Sequence, residues 1–213
     1  MRATALAWIL GTWMAAAQAA DPSAIGEVLE HSQQQRLDAF HLAADGPRAA
    51  AVRASFERLR RVAAPGVEVE LRVITGETIA ETLQGHVIVA HERLADLSEG
   101  QRTFVLAHEL GHVVHDHWAA MGGVYRRWVP GEVTPERTDP VAGALGRDAS
   151  ALAHRQEFEA DAWALETLGR MGFASDDAVG AFLSLGMQPD TATHPATRKR
   201  VAALRARLSG EGR

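Results

Sequence analysis

Thr103-Phe104-Val105-Leu106-Ala107-His108-Glu109-Leu110-Gly111-His112-Val113-Val114 is the stretch on which the reading of this chain turns. Two histidines four apart lie one turn apart on the same face of a helix, so both imidazoles reach one metal ion. Glu109 falls beside them, where a carboxylate can accept a proton from water at the metal. Two histidines to hold zinc and a glutamate as base predict metal-assisted hydrolysis, most often of a peptide bond. Ser98 caps the start of this helix with Gln101 in the box position, and the predicted helix runs over 98–118. The bland alternative is a His-rich core helix with an exposed glutamate.

Catalytic zinc takes three protein ligands and keeps a fourth position for water. One known extension of this motif needs a glycine and then a histidine at three-residue steps; His115 and Trp118 stand there instead, so that arrangement fails. A second helical run over 149–171 contains Glu157-Phe158-Glu159-Ala160-Asp161. Glu157 and Asp161 share a face, while Ala160 and Ala164 are small enough for close helix packing. Glu157 is the candidate third ligand. Asp161 is the candidate acceptor for the free N–H of a ligand histidine, fixing its tautomer. The alternative is a solvated acidic face shared with Glu159 and Glu166.

Taken together, these motifs resemble the HtpX and CaaX-prenyl-protease type of zinc metallopeptidase, family forty-eight of the metallopeptidases. His108, Glu109 and His112 fit its first motif, with His117 at a commonly occupied histidine position. Glu157, Phe158, Ala160 and Asp161 fit the second, and Thr193-His194-Pro195 with Arg200-Val201 resembles a late element. The resemblance covers about residues 50–208. It departs at Asp116, where a basic residue is common, at Ala153-His154 before the glutamate, and in the strand at 84–91. It implies an α+β, mostly helical, gluzincin-like domain with a small sheet next to the zinc-binding helix. It also implies one Zn2+ per chain and a cleft-edge strand that pairs with substrate, assigned here to residues 85–90. For the oxyanion, His194 is the first candidate electrophile, with Arg200 behind it as orienter. His194 could instead bind zinc directly in a latent state, or merely precede a helix. His115 and His117 read as core or metal-supporting residues.

The ends of the chain suggest a compartment. Met1-Arg2, the apolar run 3–17 and Ala17-Gln18-Ala19 fit a signal peptide over 1–19, an uncleaved anchor being the alternative. Export to a bacterial periplasm is therefore expected, with secretion outright as the alternative. Cysteine is absent, which excludes disulfides and thiolate zinc sites. A formal net charge of −5 argues against nucleic acid as a partner. The basic stretch Arg198-Lys199-Arg200 with Arg205 and Arg207 reads as a solvated helix face, a binding patch being the alternative.

The remaining layout follows from periodicity and breakers. A polar helical extension is expected over 20–47, with its helix at 24–42, and the peptidase domain over 48–213. Within that domain come a helix at 48–62, an alternating strand at 67–74, and helices at 175–185 and 195–208. Residues 121–148, rich in Gly and Pro, read as a long loop: either a lid with Tyr125, Trp128 and Val129 as contacts, or a surface connection. The expected activity is a metalloendopeptidase acting on unfolded or extended exported polypeptide. A chaperone or adaptor on the same fold is the second reading, and a hydrolase for a non-protein amide the third.

Overall fold

Val87, Ile88, Val89 and Ala90 are all buried, although successive side chains of a strand point to opposite faces. Both faces of the sheet at this strand are therefore covered. In the computed structural model, which describes residues 24–210, two apolar clusters do the covering. Val73, Ile88 and Ala90 join the main core with Phe56, Leu59, Leu106 and Leu110. Ile74, Leu83, Val87 and Val89 meet Leu37 and Phe40 on the other face.

The elements in order are α1 (Ala24–Asp38), β1 (His41–Leu42), α2 (Pro47–Ala63), β2 (Glu70–Thr75), β3 (Ala80–Leu83), β4 (Val87–His91), α3 (Glu99–Val114), α4 (His117–Trp128), α5 (Pro135–Thr138), α6 (Ala142–Arg170), α7 (Asp176–Leu185) and α8 (Thr197–Gly210). The four strands lie in the order β1-β2-β4-β3. β2 runs parallel to β4, with Leu71 opposite Ile88, and β3 runs antiparallel to β4, with Thr82 opposite Ile88. A mostly helical α+β architecture with a small sheet beside α3 is what the sequence predicts.

Three expectations are corrected. The strand assigned to the cleft edge, now β4, has partners on both sides and cannot accept another. The edge is β3, where no strand is predicted, because Ala80-Glu81-Thr82-Leu83 carries no apolar alternation. Short, charged edge strands are disguised in this way. The predicted helix at 98–118 breaks at Asp116, whose φ of 51° is left-handed. Aspartate tolerates that region, and the break turns the chain so that α4 packs against α6, where Gln156 Nε2 donates to the His117 carbonyl at 3.1 Å. Finally, residues 121–148 form no long loop. α4 continues to Trp128, Pro135 opens α5 at a first-turn position, and α6 begins at Ala142. Asp148 Oδ2 accepts from Arg127 Nη2 at 2.7 Å and from Trp128 Nε1 at 2.9 Å, which ties the two long helices together. Val129 is buried rather than poised over a cleft.

Smaller differences lie at the helix ends. The amino-terminal helix stops at Asp38, and the chain then adds β1 to the sheet. Ser98 Oγ accepts from Gln101 N at 3.2 Å, as a cap should, but the Gln101 side chain turns to Ser184 instead of closing the box. The signal-peptide assignment lies outside the described residues. Among the described residues no helix is long and apolar enough to cross a membrane.

Candidate metal centre

α3 is buried over most of its length and packs against α6 at Gly111. A Cβ placed there would stand 3.3 Å from Ala160 Cα, so the two backbones nearly touch. This close approach sets three side chains around one point. His108 Nε2 and His112 Nε2 are 3.2 Å apart. Glu157 Oε2 is 3.4 Å from His108 Nε2, and Glu157 Oε1 is 3.4 Å from His112 Nε2. Ligands of a tetrahedral zinc with bonds of about 2.0–2.1 Å stand about 3.3–3.4 Å apart, so these three groups fit that ion without rearrangement.

Two further observations support the fit. Glu157 Oε2 is buried without a hydrogen bond; Arg200 Nη1 lies 2.8 Å away, but out of hydrogen-bonding geometry. Arg200 supplies charge to this buried oxygen but no aligned hydrogen bond, which leaves its lone pairs available to an electron-pair acceptor such as zinc. The pocket also attracts positive charge. Burial and Arg200 disfavour a proton on His108, yet Glu157 and Asp161 outweigh them and carry its pKa up to about 10. Burial likewise opposes the Glu157 charge, but His108, His112 and Arg200 hold its carboxyl well below the usual range.

The two histidines present Nε2 to the common point and turn Nδ1 outward. His108 Nδ1 lies 3.0 Å from Asp161 Oδ1. His112 Nδ1 lies 2.8 Å from His117 Nδ1, and His117 Nε2 lies 3.3 Å from Glu159 Oε2. Burial, reinforced by repulsion from His112, pushes the His117 pKa down to about 4, so its ring is neutral at neutral pH. A neutral His117 donating from Nε2 to Glu159 leaves its Nδ1 free to accept from His112. The sequence left His117 between core and supporting roles because its direction depends on the break at Asp116. His115, three residues after His112, is only loosely placed near Glu159.

Glu109 lies on the cleft side of α3. Thr82 Oγ1, from β3, stands 2.9 Å from the Glu109 carbonyl oxygen and 2.8 Å from Glu109 Oε2. No sequence signal points to Thr82, since its strand has no apolar alternation to announce it. His194 stands at the mouth: its ring is largely exposed, with Nε2 3.6 Å from Glu157 Oε1 and Nδ1 2.8 Å from Thr193 Oγ1. Arg200 is drawn to a different place from the one expected. Its Nε and Nη2 bond Asp161 at 2.7 and 2.6 Å, so it braces the carboxylates behind the candidate ligands instead of backing His194. Beside the site is an apolar recess of about 180 Å3, walled by Ile79, Phe104, Val105, Phe182 and Leu185.

With this geometry in view, the comparisons with known proteins are decisive at the level of family. The chain matches the model for Peptidase family M48 over residues 64–127 and 139–208. It belongs to that family. The unmatched interval contains the α4–α5 turn, and α1 and α2 precede the matched region. The crystal structure of S. mikatae Ste24p shares the M48 chain's fold at a TM-score of 0.50 and 18% identity, covering 84% of this chain and 56% of that one. The chain thus corresponds to little more than half of that larger protein. No curated protein matches. M48 is a family of zinc metallopeptidases, and His108, His112 and Glu157 form the candidate metal site in this member.

Proposed function

We propose that this protein is a zinc metalloendopeptidase that cuts extended polypeptide, with exported, unfolded proteins as its substrates. The observation that carries the reading is the meeting of His108, His112 and Glu157 one residue from Glu109, beside the open edge of β3. Bound to the three ligands, zinc supplies Lewis acidity toward a peptide carbonyl and toward water.

The chain's own residues supply the rest. Glu109 takes a proton from the attacking water and returns it to the leaving amine. The Thr82 hydroxyl orients the Glu109 carboxylate. An extended peptide adds to the β3 edge through main-chain bonds, which makes binding tolerant of sequence. The apolar recess next to Glu109 takes a bulky apolar side chain from the carboxyl side of the scissile bond. His194, exposed at the mouth, is placed to donate to the developing oxyanion. Asp161 and Arg200 hold His108 and Glu157 in position. Export rests on the leader-like residues 1–19 alone.

The test is cleavage of an unfolded reporter protein by wild type and by Glu109→Gln, with zinc measured in both. We expect one zinc in each and cleavage by wild type only. Folded protein without zinc, or equal cleavage by the two forms, would overturn the reading.

A further inference from the structure

The free edge of β3 ends against a helix that the family model does not include. Ile79 O accepts from His91 N at 2.7 Å, and Glu81 and Leu83 stand opposite Val89 and Val87. Because antiparallel pairing alternates, Ala80 and Thr82 turn their main-chain groups away from β4, into a cleft of about 500 Å3. A peptide running antiparallel to β3 there must send its amino end toward Gln84 and Gly85.

α1 stands at that end. Gln84 N donates to Gln33 Oε1, and Gln84 Nε2 donates to Gln34 Oε1 at 3.1 Å. Arg36 Nε lies 2.8 and 2.7 Å from the two carboxylate oxygens of Glu81, with Nη2 2.6 Å from one of them. Gln33 and Arg36 line the same cleft as Glu109, with Trp118 and Met121 of α4 beside them. From Thr82 to Gln84 the edge offers only about 7 Å, at roughly 3.3 Å per residue. We propose that α1 is a stop across the amino-terminal end of the substrate cleft, which narrows the endopeptidase reading to cleavage within a few residues of a polypeptide's amino end. The proposal rests on the peptidase reading of the site.

α1 is held by these polar ties and by Leu37, which is buried against Ile74, Leu83, Val87 and Val89. The Gln33 and Arg36 side chains, which line the cleft, can therefore be cut back without touching that packing, so that the obstruction is lost and the helix kept. Three peptides test the idea: an Ala-Phe-Ala-Ala core, the same core with four added serines at the amino end, and the core with four at the carboxyl end. Cleavage is compared in the full chain, and binding is measured by calorimetry in zinc-loaded Glu109→Gln. The amino-extended peptide should be disfavoured by about tenfold or more against the other two in both assays, since a steric stop discriminates by exclusion. In Gln33→Ala/Arg36→Ala that gap should close to within about threefold, and in the charge swap Arg36→Glu/Glu81→Arg it should remain. Equal treatment of the three peptides, discrimination against the carboxyl extension, or a gap that survives in the double alanine variant would each overturn the stop. If no peptide is cut but the amino-extended one is still excluded from binding, the peptidase reading falls and the stop stands.

Discussion

A ligand histidine is held by whatever its second nitrogen touches, and the two candidates here are held differently. His108 faces a carboxylate, Asp161, whereas His112 faces another imidazole, His117, itself steadied by Glu159. Removing His117 leaves His112 free to turn and its Nδ1 without an acceptor. We expect His117→Ala to weaken zinc binding by about 10–100-fold, measured by competition with a chromogenic chelator. His117→Asn, which keeps an acceptor at that place, should recover part of the loss. Unchanged zinc affinity in the alanine variant would show that the 2.8 Å contact does not support the metal. At this scale the spacing of His108, Glu109 and His112 was legible in the sequence, because a four-residue step on a helix is local geometry. The partner of His112 was not, since it depends on a left-handed residue at Asp116.

At the scale of elements, the site depends on how closely α3 and α6 approach. Gly111 faces Ala160 and Trp163, with no room for a branched side chain. Gly111→Val should cost about 1–3 kcal/mol in denaturant unfolding through overpacking. It should also lower zinc affinity, because Glu157 rides on the helix that is pushed away. Gly123 on α4 has nothing within 4 Å of its added Cβ. Gly123→Ala should therefore gain up to about 1 kcal/mol from helix propensity alone. A reversed order of these two effects would mean that the helix contact is not tight. The same contrast explains a misread element. Glycines over 121–148 suggested a loop, yet Gly122, Gly123, Gly143 and Gly146 lie inside helices, where packing and the Asp148 clasp override a weak local preference.

Across the whole molecule, the candidate ligands join two helices that also meet at Gly111 against Ala160 and at His108 against Asp161. His108 and His112 come from α3, and Glu157 comes from α6. A ion that binds the folded chain alone stabilises it by mass action, about 2.7 kcal/mol at a hundredfold excess over Kd. For a chain of this size that corresponds to a rise in Tm of about 5–10 °C. Zinc should produce that rise, a strong chelator should reverse it, and Glu157→Ala should abolish it. A Tm indifferent to zinc would argue that the three groups do not bind the ion together.

Some properties of this protein are carried by short-range patterning. Helical spacing placed both histidines on one face, a second spacing paired Glu157 with Asp161, and the capping residue Ser98 marked where α3 begins. These readings need only the geometry of a single helix, so the sequence alone determined them. The edge strand, the packing of α4 on α6, the Thr82 contact with Glu109 and the stop formed by α1 were decided by tertiary structure. β3 has no apolar alternation to announce it, and it is a strand because β4 offers it a partner. Arg200 braces Asp161 and Glu157 because the fold brings α8 against α6, a distance along the chain that no local pattern spans.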